Sequence, residues 1–293
     1  MRTGAPRFAG VYAATVCPML PDGEIDRASL RRHLRAVGAA RGLAGLLVNG
    51  HAGENFTLSA GEQRMVLEEA RAALPAPAQV VAGVNAEASA VAVRLARDAA
   101  AAGADAILLF PPFSWALSQD LGVAVRHHAL VSEAYGLLLF LYQAPAAAAQ
   151  LTCRPDTLAA LLALPNVAGI KEGSWEAAAY EATRRLVRSL RPDVAVMASG
   201  DEHLLTCFVL GSEGTQVSLA ALMPETVIAL EAAADGRSQG GAGGAPGDLS
   251  AGQGDLRHAA RRAGDGASQG LPVHAGADRP CRLPCAHGRP AGG

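Results

Sequence analysis

The sequence is almost without lysine. Of its 25 lysine and arginine residues, Lys171 is the single lysine, so arginine carries nearly every positive charge. The formal net charge is only −2, and no basic stretch or acidic tail indicates nucleic acid as a partner. No uncharged apolar run reaches the roughly 18 residues that a membrane-spanning helix needs. The composition therefore indicates neither a nucleic-acid-binding protein nor an integral membrane protein.

A disulfide framework is also missing. The five cysteines are odd in number and scattered, at Cys17, Cys153, Cys207, Cys281 and Cys285. This pattern is more typical of a reducing cytoplasm than of a secreted, disulfide-linked domain. The first residues lack the long apolar core of a signal peptide, so we expect a cytoplasmic location. Cys281 and Cys285 have no second pair at metal-ligand spacing, and we predict no metal site.

The last 58 residues, 236–293, lack the residues that build a core. They contain 15 glycines and 5 prolines but no Phe, Trp, Tyr or Ile, and all 12 aromatic residues of the chain precede them. Such a segment cannot bury enough apolar surface to offset its ordering entropy, so we expect it to be disordered. Its Gly, Arg, Pro and Ala content is also typical of a GC-rich gene read out of frame. We hypothesise a frameshift near 235–238, and a globular domain over 1–235.

Upstream of that tail, short β-branched or leucine-rich runs alternate with alanine-rich helical stretches. The predicted strands are 10–14, 45–49, 80–84, 106–110, 137–142, 167–171, 194–199 and 215–218. The predicted helices are 26–39, one that begins at Ser59 with a capping box, 88–102, 120–134, 154–162, 175–190, 204–210 and 224–233. Eight strands that alternate with helices predict a (β/α)8 TIM barrel. An open doubly wound sheet is the alternative, but the first βα turn carries no glycine-rich dinucleotide fingerprint.

Lys171 closes the sixth predicted strand, at the end where side chains of a barrel face the active site. A lysine there can form a Schiff base with a carbonyl substrate if burial or a nearby cation lowers its pKa. A paired or solvent-reaching structural charge is the alternative. Arginine could serve that structural role, whereas only a primary amine can form an imine. We therefore predict that Lys171 is catalytic.

Three further positions lie at the same predicted rim. Tyr142 closes the fifth strand and could shuttle a proton near Lys171, although a core tyrosine is the alternative. The "NGHAGENF" loop after the second strand could hold a carboxylate with its backbone N–H groups. His51 in this loop could act as acid or base near neutral pH, or simply be solvated. We expect Asp201, in "SGDEH", to cap the following helix.

Seven stretches carry a resemblance that runs from about residue 8 to 233. They are "TVCPMLPDGEID", "GLLVNGHAGENFTLSAGEQ", "GADAILLFPPF", "LYQAP", "NVAGIKEGS", "ASGDE" and "GTQVSLAALMPE". In this order and spacing they resemble the dihydrodipicolinate synthase / N-acetylneuraminate lyase family of class I aldolases. The resemblance implies that Lys171 forms a Schiff base with pyruvate or another 2-oxo acid, with no other cofactor. It also implies that Tyr142 assists proton transfer.

The sequence departs from the family at three places. The family's Gly-Thr-Thr-Gly-Glu loop is Gly-His-Ala-Gly-Glu here, so both threonines are missing, and we hypothesise that His51 replaces their hydroxyl relay. The tyrosine of the synthases is replaced by Phe113 and Ser114, and the arginine that binds the aldehyde's carboxylate is replaced by Ala147. The substrate-binding residues that the resemblance then implies are Gly50, His51, Ala52, Ser114, Gly200 and Val217.

These observations predict a Schiff-base lyase or aldolase that acts on a 2-oxo acid. The alternatives are 4-hydroxy-tetrahydrodipicolinate synthase itself and a non-catalytic barrel that binds a 2-oxo acid. A phosphosugar aldolase ranks last, because the turn after the eighth strand lacks a phosphate cradle. The family also adds a C-terminal helical segment and assembles as tetramers. Here residues 236–293 stand in place of that segment, so we expect a homotetramer that the tail could weaken.

Overall fold

The computed structural model describes residues 8–117, 120–134 and 136–236. Eight parallel strands follow one another around a closed barrel, from β1 to β8 in chain order, and a helix follows every strand. This arrangement confirms the predicted (β/α)8 fold. The tail predicted for 236–293 lies outside the described residues, apart from Gly236, so the division of the chain at residue 235 stays a prediction.

The elements follow the predicted alternation closely. The strands are β1 Gly10–Ala14, β2 Gly45–Val48, β3 Gln79–Val84, β4 Ala106–Leu109, β5 Leu138–Gln143, β6 Val167–Glu172, β7 Ala195–Ala198 and β8 Gly214–Val217. The helices are α1 Arg27–Gly38, α2 Ala60–Ala73, α3 Ser89–Ala101, α4 Leu121–Glu133, α5 Pro155–Leu162, α6 Ala177–Leu190, α7 Leu204–Val209 and α8 Pro224–Ala234. Of the helices within the described ranges, none is long and apolar enough to cross a membrane.

Two apolar layers hold the barrel together. Side chains that alternate along each strand fill the barrel interior, with Tyr12, Leu47, Leu108, Phe140 and Met197 among them. The intervening side chains point outward and pack against the helices in a second, larger layer. Strands buried on both faces read as continuous apolar runs, which is why short runs such as "AILL" were recognisable in the sequence.

Side-chain caps begin three of the helices at the predicted positions. Asp26 accepts a hydrogen bond from the Ser29 N–H at 3.0 Å, and Asp120 accepts one from the Val123 N–H at 3.0 Å. Ser59 forms the predicted capping box, in which its side chain and that of Glu62 each bond the other's backbone N–H. These caps satisfy donors that the first turn of a helix leaves unpaired.

Left-handed backbone makes two elements shorter than predicted. The strand predicted for 45–49 stops at Val48, because Asn49 has φ 52° and leaves the extended conformation. The helix predicted from residue 175 begins at Ala177, because Trp175 has φ 59°. Backbone of this kind in a non-glycine residue is costly and often marks a functional site. Both residues follow a strand at the carboxyl end of the barrel.

Gly169 on β6 leaves room for the Phe140 ring of β5 inside the barrel. Its replacement by alanine should therefore destabilise the fold. A Cβ at this position would lie 2.2 Å from the Phe140 ring. Overpacking of this kind typically costs about 1–3 kcal/mol. We expect Gly169→Ala to lower the free energy of unfolding by that amount in urea denaturation.

Gly61 provides the matched control for this substitution. It lies in helix α2, and an added Cβ meets no atom within 4 Å. Gly61→Ala should therefore raise the free energy of unfolding, by about 0.5–1 kcal/mol, because alanine is the better helix former. If Gly169→Ala were as stable as the wild type, the close approach of Phe140 would not limit the size of residue 169.

Candidate active site

Lys171 and Tyr142 lie side by side at the carboxyl ends of β6 and β5. They are register partners across this parallel pair, and both line a cavity of about 420 Å³. Because side chains alternate along a strand, the same register that pairs the two residues turns both toward the barrel axis. The structure thus brings together the two residues predicted to be catalytic. Their catalytic roles stay predictions.

The Lys171 amine is easier to deprotonate than an ordinary lysine. Burial lowers its pKa to about 8, because the charged form is poorly solvated there, and the negative charge of Asp201 opposes part of that shift. A pKa near 8 leaves about a tenth of the amines neutral at neutral pH, and this is the nucleophilic form. The sequence left burial and a nearby cation open as causes, and the structure assigns the shift to burial.

The Tyr142 phenol keeps its proton at neutral pH. Burial raises its pKa to about 12, and the negative charge of Glu172 adds to the shift. Its ring packs edge-on against Phe110, with ring centroids 4.9 Å apart. A protonated phenol beside an amine can donate a proton to a departing oxygen and take it back in a later step.

His51 lies in the wall of the cavity rather than in solvent. Its ring stacks on Phe110 with centroids 4.0 Å apart, and meets the Tyr142 ring edge-on at 5.5 Å. Burial lowers the pKa of His51 to about 4, and the charge of Lys171 contributes to the shift. The imidazole is therefore neutral at neutral pH. Of the two roles that the sequence leaves open for His51, a freely solvated side chain does not fit this packing, and a role as acid or base stays a prediction.

The loop after β2 lines one side of the cavity. His51–Gly53 form a short 3₁₀ turn, in which the Gly50 carbonyl accepts from the Gly53 N–H at 3.1 Å. The first N–H groups of such a turn, those of His51 and Ala52, have no partner within the turn itself. His51 and Ala52 both line the cavity, and Gly50 lies directly behind them as the residue that begins the turn.

Strand residues form the floor of the cavity, and residues that follow the strands form its mouth. Four lining residues belong to strands and form the floor, and these are Ala14, Tyr142, Lys171 and Gln216. The others follow the strands and form the mouth, and these are His51, Ala52, Pro111, Phe113, Ala144, Pro145, Ala148, Leu151, Trp175, Ser199 and Ser218. Apart from Lys171, no arginine or lysine lines the cavity within the described part of the chain. Among the described residues the mouth is therefore largely apolar and adds no lysine or arginine to Lys171.

Ser114 and Val217, both predicted to bind substrate, are not among the residues that line this cavity. The backbone N–H groups of Phe113 and Ser114 donate to the Glu87 carboxylate at 2.9 and 3.1 Å, and it is the Phe113 side chain that lines the cavity. Val217 is buried among the side chains that face the helices. The cavity wall is formed by the neighbour in each case, Phe113 and Gln216, and substrate binding by Ser114 and Val217 stays a prediction.

The turn after β7 lies beside the main cavity. Gly200 lines a smaller pocket of about 90 Å³ together with Trp175, Asp201, Glu202 and His203. Asp201 does not cap α7 as expected. Its carboxylate instead accepts from the Leu219 N–H and the Ser218 hydroxyl, both at 3.2 Å, and so ties this turn to the turn after β8.

The sequence reasoning missed Gln216, Ser199 and Ser218, which all line the cavity. Strand alternation could have found Gln216, since Thr215 and Val217 on either side of it are β-branched residues suited to the helix-facing layer. In the described part of the chain, no group of three or more His, Cys, Asp or Glu residues could hold a metal ion.

Comparison with known proteins places the chain in a family. A model of the dihydrodipicolinate synthetase family matches residues 7–240. The chain belongs to this family. The 4-hydroxy-tetrahydrodipicolinate synthase of Methanothrix thermoacetophila is 31% identical over 221 residues, which are 75% of this chain and 72% of that protein. Such relatives of the dihydrodipicolinate synthetase family are lyases, and this chain is a lyase of the same family.

Solved structures of the family share the fold. The dihydrodipicolinate synthase of Agrobacterium tumefaciens is 28% identical, with a TM-score of 0.70 over 80% of this chain and 78% of that one. The chloride-inhibited synthase of Acinetobacter baumannii, solved with pyruvate, is 27% identical, with a TM-score of 0.69 over 79% and 77% of the two chains.

The departures from the family's motifs cluster at the mouth of the cavity. Ala147, at the position of the synthases' arginine, is exposed within the 3₁₀ helix Ala146–Leu151. Phe113, where the synthases carry a tyrosine, presents an apolar ring to the cavity. The floor residues Lys171 and Tyr142 keep the family's residue types. The departures thus lie at the mouth of the cavity, and the amine on its floor is retained.

Proposed function

We propose that this protein is a Schiff-base lyase or aldolase that acts on pyruvate or another 2-oxo acid through Lys171. The observation that carries the proposal is a lysine amine with its pKa lowered to about 8, next to a protonated tyrosine in one cavity. Family membership supports it, and so does the pyruvate-bound relative from Acinetobacter baumannii.

In the proposed reaction, the neutral Lys171 amine attacks the carbonyl carbon of the 2-oxo acid and a carbon–nitrogen bond forms. The former carbonyl oxygen takes one proton from the attacking nitrogen and a second from Tyr142, and its bond to carbon breaks as it leaves as water. The resulting iminium withdraws electrons, so the next carbon loses a proton or breaks its bond to a departing aldehyde. Water then releases the product and restores the amine. The lysine supplies the activation, so we propose no metal or organic cofactor.

We further propose that the loop after β2 holds the carboxylate of the 2-oxo acid. The N–H groups of His51 and Ala52 are the donors, with Gly50 fixing the start of the turn. His51, neutral and stacked on Phe110, positions this loop against Tyr142 and replaces the two family threonines by packing.

The mouth of the cavity guides the choice of second substrate. Synthesis of 4-hydroxy-tetrahydrodipicolinate is a second candidate, and the similarity to synthases of that name favours it. That reaction needs an aldehyde with its own carboxylate, and no cation apart from Lys171 lines the described cavity. We therefore favour a partner aldehyde without a second negative charge. We also propose a cytoplasmic location, and from the family resemblance we propose that the protein assembles as a homotetramer.

Intact-protein mass after borohydride reduction tests the proposal. Incubation with pyruvate should add one reduced pyruvate unit to the wild-type protein, because borohydride converts the imine to a stable amine. If folded protein formed no adduct with pyruvate or with longer 2-oxo acids, the chain would be a non-catalytic barrel and the proposed function would be wrong.

The rate of imine formation should rise with pH. A lysine whose pKa lies near 8 is mostly protonated below that pH and mostly neutral above it. The initial rate of adduct formation, trapped with cyanoborohydride, should therefore rise about tenfold per pH unit from pH 6 and level off above about pH 8. A midpoint near the ordinary lysine value would show that burial does not activate Lys171.

Glu172 requires a control in this measurement. Burial raises the pKa of its carboxyl to about 7, so it changes charge in the same range. Ser174 donates to this carboxylate at 3.0 Å, outside the cavity. Glu172→Gln removes that titration, and we expect the rise with a midpoint near 8 to persist in the variant.

A further inference from the structure

Gln216 is a buried amide on the floor of the cavity. It lies on β8 with no exposed surface, and it lines the same cavity as Lys171 and Tyr142. Its neighbour Thr215 turns the other way, and the Thr215 hydroxyl donates to the Ala198 carbonyl at 2.7 Å. Strand alternation therefore directs the Gln216 side chain into the barrel.

Both polar atoms of this amide lack a protein partner. Among the residues that the structure describes, neither Oε1 nor Nε2 of Gln216 has a hydrogen-bond partner. Tyr12, its register partner on β1, already donates its hydroxyl to Gln79. Buried polar groups in native proteins are nearly always paired, and this unpaired amide also lines a cavity of about 420 Å³ in which a ligand could pair with it. Because both atoms are unpaired, this conclusion holds whichever way the amide is turned.

The position of Gln216 indicates which substrate it meets. The floor of the cavity comes from strands β1, β5, β6 and β8, so Gln216 lies at the level of Lys171, below the loops of the mouth. The 2-oxo acid is bonded to Lys171 and lies on this floor, whereas a second substrate enters from the mouth. Gln216 therefore faces the carbon chain of the 2-oxo acid itself.

The chemistry of an amide selects the group that it can pair with. A hydroxyl donates to Oε1 and accepts from Nε2, so it can satisfy both atoms. An alkyl group leaves both atoms unpaired, and a carboxylate accepts from Nε2 but has no proton to donate to Oε1. We propose that Gln216 is a specificity-determining residue that selects a 2-oxo acid bearing a hydroxyl on the carbon next to its carbonyl group. This inference rests on the proposed Schiff-base function.

Two probes of nearly equal size test this selection. Hydroxypyruvate carries a hydroxyl where 2-oxobutyrate carries a methyl group, and pyruvate serves as the reference. The concentration that gives half-maximal adduct on the wild-type protein should be at least about tenfold lower for hydroxypyruvate than for 2-oxobutyrate. The readout is the mass of the cyanoborohydride-reduced protein, so no second substrate is needed.

Gln216→Leu separates the amide's effect from the reactivity of the probes. The two acids differ in reactivity toward any amine, but this difference is the same for both proteins. The ratio of half-maximal concentrations should therefore shift by about tenfold or more toward 2-oxobutyrate in the variant. Gln216→Met, unbranched like glutamine, should show the same shift. It replaces the leucine variant if that protein fails to fold.

Thr215→Val is the matched control on the same strand. Its side chain faces the helices, so this variant should keep the wild-type ratio. An unchanged ratio in Gln216→Leu, with adducts still forming on both proteins, would overturn the inference and leave the proposed function intact. Absence of any adduct, with pyruvate included, would overturn the proposed function and this inference with it.

Discussion

Replacement of Lys171 by arginine is expected to abolish the borohydride-stable adduct with pyruvate. It should also lower turnover by at least about a thousandfold, as loss of a covalent nucleophile does in other enzymes. Arginine keeps the positive charge but has no free primary amine, and its guanidinium is never deprotonated in proteins. The variant therefore separates the chemistry of the amine from the charge at this position.

The single lysine makes this experiment unusually direct. Because the chain has no other lysine, the only other primary amine is its α-amino group, and peptide mapping distinguishes the two. Lys171→Met supplies a second variant of similar length without charge, and we expect the same loss. Thermal unfolding monitored by circular dichroism verifies that each variant is folded. An adduct that persisted on folded Lys171→Arg would place the imine elsewhere and contradict the mechanism.

The fold could be predicted from the sequence because its strands are short, buried and separated by helices with clear signals. The Ser59 capping box and the helix end at Gly103, which has φ 91°, mark boundaries that depend only on local chemistry. The errors at Asn49 and Trp175 come from left-handed backbone. Asparagine before glycine tolerates this conformation, so the end of β2 could have been predicted. Tryptophan seldom adopts it, so tertiary packing must hold Trp175 there, and sequence alone could not reveal it.

The site was predictable in its floor and less so in its mouth. Lys171 and Tyr142 were found because parallel strands end at one rim, and adjacent strands place their last residues together. For His51 the sequence left a solvated side chain and an acid or base open, and only its stacking on Phe110 shows that the ring lies in the cavity wall. The sequence reasoning named Val217, but Gln216 is the residue of β8 that lines the cavity. Successive side chains of a strand point to opposite faces, so a shift of one residue moves the side chain from the cavity to the helix-facing layer.

Tyr142→Phe is expected to slow proton transfer while leaving Lys171 in place. Loss of a general acid or base typically costs about 10²–10⁴-fold in rate. In deuterated water, the imine should exchange the methyl protons of pyruvate for deuterium, and NMR can follow this exchange without a second substrate. We expect the exchange rate to fall by about 100-fold or more in Tyr142→Phe. The adduct itself should still form, more slowly, because the amine remains.

Tyr180→Phe is the matched control for the loss of a buried hydroxyl. Tyr180 is also buried, but its hydroxyl donates to the Val196 carbonyl at 3.2 Å in the helix-facing layer. Its removal should lower the free energy of unfolding by about 1 kcal/mol and leave the exchange rate near that of the wild type. Equal exchange rates in the two variants would make Tyr142 a packing residue. A loss confined to Tyr142→Phe would make its phenol the proton donor, since its ring contacts with Phe110 and His51 remain in phenylalanine.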